Sequence, residues 1–458
     1  MSAVPSEIFR AYDIRGIVDE TLTEETVCLI GKAIAAEAKA CNENKIIIAR
    51  DGRLSGPRLS EALKKGLLES GCDVIDVGSV PTPLLYFATH RLDAKSGVML
   101  TGSHNPKNYN GLKIVIAGET LSESRIQDLY KHIIQNNFVT GQGNYSQVDI
   151  IQDYIKYIKN NLDIKKKLKI VVDAGNGIAG KIAPQLYEAL GCDVIPLYCD
   201  VDGNFPHHHP DPAVPENLKE VIEMVKKQRA DIGLAFDGDG DRVGVVTNEG
   251  EIIWPDRQLI LYAQDVLSRN PNAKIIYDVK CTQHVEPEIK KYNGIPMMYK
   301  TGHSLIKNKM KEENALLAGE MSGHVFFKER WFGFDDGLYA GARLLEILSN
   351  QSLSASELFK KIPDSFSTPE LKIAVTSVQR ENVINGLKKS AQFKHEKIID
   401  IDGVRVEFKN GWGLVRGSNT TPHLVVRFEA DDAQQLEKIK QLFHAEILAI
   451  DDSLQLPF

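Results

Sequence analysis

Apolar runs interrupted by short amphipathic patterns organise the first 365 residues. Three stretches share one order: "NKIIIARDGRLSGPRLSEALKKGLLESGCDVIDVG" from Asn44, "LKIVVDAGNGIAGKIAPQLYEALGCDVIPLY" from Leu168 and "AKIIYDVKCTQHVEPEIKKYNGIPMMYKTGHS" from Ala273. Each opens with lysine and a β-branched run, passes an acidic residue into a loop, and continues with helical periodicity. Each then leaves the helix through glycine into a further apolar run. The exit GCDVI occurs twice, at 71–75 and 191–195, where glycine suits the left-handed position past a helix end. Strand, helix and strand in that order predict right-handed crossovers in parallel or mixed sheets, with ligand-binding groups in loops at the strand ends. From about residue 366 the pattern changes. "TPELKIAVT", "IIDIDGVRVEF", "GWGLVRGSNT" and "HLVVRFEA" read as strands, with helices around 380–391 and 431–449. This is the pattern of an α+β unit with an antiparallel sheet. The expected fold is therefore three related α/β domains with mixed sheets (1–150, 151–252 and 253–365) and a C-terminal α+β domain (366–458), joined across the proline-bearing "KIPDSFSTPE".

Composition narrows the partners. A chain of 458 residues is long enough for three or four domains. Its net charge of −7 argues against nucleic acid, which needs a basic face, but leaves anionic small molecules possible where basic residues converge. No apolar run approaches a membrane span, and the N-terminus lacks a signal-peptide pattern. Six scattered cysteines without a CxxC pair fit a reduced, cytoplasmic setting, in which the sequons at Asn144 and Asn419 carry no meaning.

Two loops carry chemistry that turns alone do not need. "AFDGDGDRVGVV" places Asp237, Asp239 and Asp241 at alternate positions between apolar strands, so an extended or gently curved segment would point all three the same way. Close carboxylates repel unless a cation intervenes, and hard oxygen donors suit Mg²⁺. An EF-hand is excluded: its sixth and twelfth positions would be Arg242 and Asn248 instead of Gly and Glu. In "GVMLTGSHNPKNYNGLKI" a buried strand ends in Ser103 and His104. An esterase nucleophile would need G-x-S-x-G, and adjacent side chains seldom form a triad. Phosphoryl transfer fits better. A seryl phosphate could complete the shell of a cation held by the aspartates, with His104, Lys113, Arg15 and Arg242 offsetting its charge.

"FRAYDIRG" (9–16), "TGSHNP" (101–106), "FDGDGDR" (236–242), "KTGHS" (300–304), "GEMSGH" (319–324) and "RGSNTTP" (416–422) together closely resemble the motifs of the α-D-phosphohexomutase superfamily, specifically its bacterial phosphomannomutase/phosphoglucomutase enzymes. The resemblance spans nearly the whole chain. It implies four domains around a central cleft, Ser103 as the phosphoserine, and Mg²⁺ on Asp237, Asp239, Asp241 and a phosphoserine oxygen. It further implies that Glu320 and Ser322 hydrogen-bond the C3 and C4 hydroxyls of the sugar. The C2 configuration, where glucose and mannose differ, would then go largely unread. His303 and His324 join the sugar site or proton transfer by the same resemblance, Tyr12 and Lys280 lie on the substrate side, and Lys113, Arg15 and His324 are the acid–base candidates.

Arg416, Ser418, Asn419, Thr420 and Thr421 follow a strand as a donor-rich loop suited to phosphate. Two phosphate positions are what a mutase needs. The implied reaction passes the seryl phosphoryl group to a hexose phosphate, giving a hexose 1,6-bisphosphate that turns around and returns the other phosphate to Ser103. A monomer acting on hexose phosphates is expected, its tail domain closing because Arg416 lies so far along the chain from Ser103. Phosphoglucosamine mutase is the nearest alternative, with Met321 in the sugar loop arguing against it; a metal-dependent sugar phosphatase is a more distant one. The run His207, His208 and His209 reads as structural, because consecutive histidines face different ways.

Overall fold

The computed structural model describes residues 4–418 and 421–458; Asn419 and Thr420 of the expected phosphate loop lie outside the described residues. The first sheet runs Ile14–Ile17, Tyr109–Ile116, Ser96–Leu100, Lys45–Arg50, Asp73–Ser79, Tyr145–Gln147, with Glu119–Thr120 on the second of these. Lys45–Arg50 lies parallel to both Asp73–Ser79 and Ser96–Leu100, while Tyr109–Ile116 turns back antiparallel to Ser96–Leu100. The second sheet repeats the plan. Lys169–Asp173 is parallel to Asp193–Leu197 and Ile232–Phe236, and Val243–Thr247 returns antiparallel to the last. In the third, Lys274–Asp278 is parallel to Ile295–Tyr299 and Leu317–Gly319, and Val325–Phe327 returns antiparallel. The two GCDVI glycines have φ of +75° and +92°, the left-handed conformation that a helix exit of this kind requires.

Every pairing in the fourth sheet is antiparallel. The stretch 398–408, read as one strand, is two: Lys397–Ile399 and Val404–Phe408 pair with each other across a turn at Gly403, whose φ is +85°. The tail helices run Ser377–Lys388 and Ala433–Ile450, their N-termini capped by the Thr376 and Asp432 side chains.

This topology positions the site. Each of the four sheets has an antiparallel hairpin, and its connecting loop carries one motif: 101–108, 237–242, 320–324 and 418–422. One continuous apolar core joins the first three domains, running from Leu84 and Phe87 through Tyr154, Leu186 and Leu234 to Phe327 and Leu344. Trp331 stacks on Tyr339 at 4.2 Å and on Phe87 at 5.8 Å, tying the third domain to the first. The fourth domain has its own core around Val406, Phe428 and Phe443. Its main apolar link to the rest is a small cluster of Val279, Trp412 and Leu414.

Candidate active site

Ser103 lies in the loop after strand Ser96–Leu100 with a left-handed backbone (φ +48°), a conformation a serine keeps only where its surroundings enforce it. Arg53 enforces it. Its guanidinium donates to the carbonyls of Ser103 (2.8 Å), Asn105 (2.6 Å), Pro106 (2.6 Å) and Tyr109 (2.9 Å). Asp51 holds the other side, accepting from the Thr101 hydroxyl at 2.7 Å and the Gly102 amide at 3.2 Å. Gly102 is needed because a Cβ there would fall 2.3 Å from Arg53 Cζ. So held, the Ser103 hydroxyl lies 3.2 Å from each of Asp237 Oδ2, Arg242 Nη2 and His104 Nδ1. Arg242 Nη2 also contacts His104 Nδ1. Arg15 reaches the same loop, donating to Asn105 Oδ1 at 2.7 Å, and is itself paired with Asp13.

The three aspartates are fully buried and converge, though not by strand alternation. Phe236 pairs with Val243, and 237–242 form the tight turn between them, with Gly240 at φ +75°. Gly238 brings this turn onto the serine loop: a Cβ there would sit 2.4 Å from the Ser103 carbonyl oxygen. Lys113 donates to Asp239 Oδ2 at 2.7 Å and pairs with Asp241. The Thr82 hydroxyl donates to Asp239 Oδ2 at 2.5 Å. Burial pushes Asp237 well above the usual carboxylate range, with the other two aspartates adding to the shift. Burial works the same way on Asp239, but Lys113 and Thr82 hold it at about 2. For Lys113 itself, burial is outweighed by the two carboxylates, and the ammonium is strongly favoured. One lysine cannot satisfy three carboxylates. Asp239 Oδ1 and Asp241 Oδ1 are buried without a hydrogen-bond partner among the described residues. With one oxygen from each aspartate lying within 4.8 Å of the others, this donor set fits a hard divalent cation.

The third hairpin supplies the opposite wall. His324 pairs through its backbone with Arg242, and its Nδ1 lies 3.0 Å from Asp335 Oδ2 and 3.7 Å from Asp241 Oδ1. Lys307 donates to Asp335 at 2.8 Å, and His303, 3.8 Å from the same carboxylate, stacks on His324 at 5.5 Å. Burial, reinforced by Lys307, keeps His303 well below the ordinary imidazole value. Tyr12 meets the His303 ring edge-on at 5.6 Å. Glu320 accepts from the Gly302 amide at 2.6 Å and is raised to about 7 by burial. Ser322 beside it is half-buried. Asp278 ties three loops together, accepting from the Thr301 hydroxyl at 2.9 Å and from the Met321 amide at 3.2 Å, with Lys280 Nζ 3.8 Å away. On the fourth-domain side Arg416 and Ser418 sit at the end of strand Gly411–Gly417, and Thr421 donates to the Ser418 hydroxyl at 2.9 Å.

Four family models match in chain order. They are phosphoglucomutase/phosphomannomutase alpha/beta/alpha domains I (6–140), II (152–250) and III (254–366), and the C-terminal domain (370–445). The chain belongs to the phosphoglucomutase/phosphomannomutase family. Among family members, the Pseudomonas aeruginosa phosphomannomutase/phosphoglucomutase is 59% identical over 455 residues, covering 99% of this chain and 98% of the relative. A Neisseria meningitidis phosphoglucomutase is 53% identical over 451 residues, covering 98% of both. The crystal structure of a phosphoglucomutase/phosphomannomutase family protein from Burkholderia thailandensis superposes with a TM-score of 0.95 at 49% identity, covering 99% of this chain and all of that one.

Within this family fold, Ser103, His104, Arg15, Lys113, Arg242, His324 and the aspartates meet in one buried cluster, with Tyr12, His303 and Glu320 adjoining. Lys280 bonds Glu370 and Arg416 bonds Asp402, which also accepts from the Thr301 amide, so these two cations lie at the boundary of the third and fourth domains. The histidine run is structural: His207 stacks on Tyr198 at 3.8 Å, His208 lies 3.0 Å from Asp173, and His209 reaches the His104 carbonyl. It thereby braces the serine loop from the second domain. Arg53, Asp51, Asp278 and Asp335 were not foreseen, although "ARDGR" and "GFDDG" both set charges directly after apolar runs.

Proposed function

We propose that this chain interconverts mannose or glucose 1-phosphate and 6-phosphate through a phosphoserine at Ser103 and a hexose 1,6-bisphosphate intermediate. The observation that carries the reading is the 3.2 Å approach of the Ser103 hydroxyl to Asp237 across a domain boundary, where Gly238 leaves room for nothing larger. Asp237, Asp239 and Asp241 would hold Mg²⁺ with a phosphoserine oxygen. Bound there, the ion supplies neutralising charge to a phosphoryl group in transfer.

The chain's own residues do the rest. Arg53 aims the Ser103 oxygen, while Arg242 and Arg15 lie where charge on the phosphoryl oxygens develops. Glu320 and Ser322 fix the sugar by its hydroxyls. Arg416, Ser418, Thr421, with Asn419 and Thr420, and Lys280 grip the phosphate that is not reacting. As the sugar hydroxyl oxygen forms its bond to phosphorus, the bond to Ser103 Oγ breaks. A base takes the hydroxyl proton, and the departing serine oxygen regains one. His324, held 3.0 Å from Asp335, is a candidate for this exchange beside Lys113 and Arg15, and His104 Nδ1 lies 3.2 Å from the Ser103 hydroxyl. The bisphosphate then turns, and the same steps run backward at its other end. We read the working unit as a monomer, and no helix among the described residues is long and apolar enough to cross a membrane. A cytoplasmic location and domain limits at 150/151, 252/253 and 365/366 complete the reading.

The test is S103A with intact-mass analysis of the parent. The parent should carry one phosphate on Ser103. The variant should lose at least about 10³-fold in turnover yet still bind glucose 6-phosphate. An S103A enzyme with ordinary turnover would end the proposal. Parallel assays with mannose, glucose and glucosamine 1-phosphates fix the sugar.

A further inference from the structure

The two distal cations are already paired with carboxylates. Asp402 Oδ2 accepts from Arg416 Nε at 2.9 Å and from the Thr301 amide at 3.1 Å. This arrangement is built in. A Cβ on Gly403 would lie 2.3 Å from the Val415 carbonyl and 2.6 Å from Arg416 Cα, so the 400–403 turn is pressed against Arg416's own backbone. Glu370, just past the interdomain join, accepts from Lys280 Nζ at 2.5 Å. Arg416 and Lys280 are each only 4% exposed. The Lys280–Glu370 pair and the Thr301–Asp402 bond straddle the boundary between the third and fourth domains, whereas Arg416 and Asp402 both belong to the fourth.

We propose that Asp402 and Glu370 are positioning residues that stand in for the substrate's non-reacting phosphate and weaken the distal site's hold on it. This rests on the reading of Arg416 and Lys280 as phosphate-binding cations. A phosphate dianion entering between these two groups must displace a carboxylate from each, or share the cation with it, and either reduces its net attraction. A bare pair of buried cations would hold phosphate equally in all complexes. That is uniform binding, which lowers KM without speeding chemistry. It would also trap a bisphosphate that has to release both ends in order to turn. The competing carboxylates keep the cations compensated and aligned in the free protein and return to them as the intermediate lifts away. A purely structural latch makes the opposite forecast: removing it would loosen the domain boundary and weaken binding.

The experiment measures glucose 6-phosphate affinity by calorimetry on dephosphorylated full-length enzyme, for the parent, D402N, E370Q, R416A and D402N/R416A, together with steady-state kcat. D402N and E370Q should each bind about five- to tenfold more tightly than the parent, with kcat lowered by a comparable factor as turning of the bisphosphate slows. R416A should bind more weakly, and D402N should bring no gain in its background. If R416A weakens binding while D402N and E370Q leave it unchanged or weaken it, the carboxylates are latches and the inference fails, with the distal-site reading intact. If R416A binds like the parent, that reading fails as well. E370Q acts on a different cation from D402N, so a folding defect in either variant leaves the other decisive.

Discussion

Burial and function pull Glu320 in opposite directions. Its carboxyl is raised from 4.5 to about 7, first by burial and then by Asp278, with His324, Lys280 and the Gly302 amide partly offsetting. For stability the sign is that of any raised group: the folded state holds the proton more tightly, so the contribution is present below about pH 4.5 and disappears as pH rises through 7. The proposed sugar-binding role favours the other form, because an ionised carboxylate accepts through both oxygens, whereas protonation turns one of them into a donor and leaves only part of that capacity. The kcat/KM of the free enzyme should therefore rise with pH through about 7, reporting Glu320. Substrate phosphate titrates near pH 6 as well, so the comparison with E320Q carries the assignment. The variant should be weaker at high pH but keep only the substrate's limb, and identical profiles for parent and variant would remove Glu320 from this role.

Hairpin loops are the elements that make the site, and they explain what the sequence revealed. The repeated strand–helix–glycine order was legible because β-branched runs and the GCDVI exits are local signals. The Asp237, Asp239 and Asp241 triplet was legible as residues, but for the wrong geometric reason: a tight turn, not an extended strand, brings them together. Arg53 and Asp335 were not legible. Nothing local distinguishes a charge that leaves a strand for solvent from one that folds back under a neighbouring loop. The contact between the first two hairpin loops depends on Gly238, whose added Cβ would meet a backbone oxygen 2.4 Å away. Neither loop can yield by rotating a side chain, so G238A should shift the aspartate turn off Ser103. Displacements of about 1 Å at a reacting centre can lower rates about 10²-fold. We expect that loss in kcat, with Tm lowered by only a few degrees, about what ~1 kcal/mol gives a chain of this size. Near-parental kcat in a folded G238A would mean that the two loops need not touch.

At the scale of the whole molecule, unequal cohesion decides what can move. One continuous apolar core joins domains one to three, whereas the fourth is attached through Val279, Trp412 and Leu414 and through polar contacts. Arg405 donates to the carbonyls of Val279 and Cys281, both at 2.8 Å, and the Thr282 hydroxyl donates to Glu429 at 2.7 Å. Trp412 lies between two arginines, with Arg405 at 3.9 Å and Arg427 at 5.7 Å from its ring. Polar attachments of this kind exchange with water at small net free energy, while an apolar core does not. The fourth domain is therefore the part we expect to swing away and readmit solvent, carrying Arg416 with it, if the proposed bisphosphate is to turn. Solution scattering should show compaction when glucose 1,6-bisphosphate is added to the parent enzyme. W412A, which removes the aromatic centre of the attachment, should be more expanded without ligand and raise KM about tenfold while largely keeping kcat at saturation. In W412A the first three domains should melt close to the parental temperature, since their shared core is untouched. A parent profile unaltered by bisphosphate, or a W412A variant as compact as the parent, would mean that the boundary is rigid and that the intermediate turns inside a closed cleft.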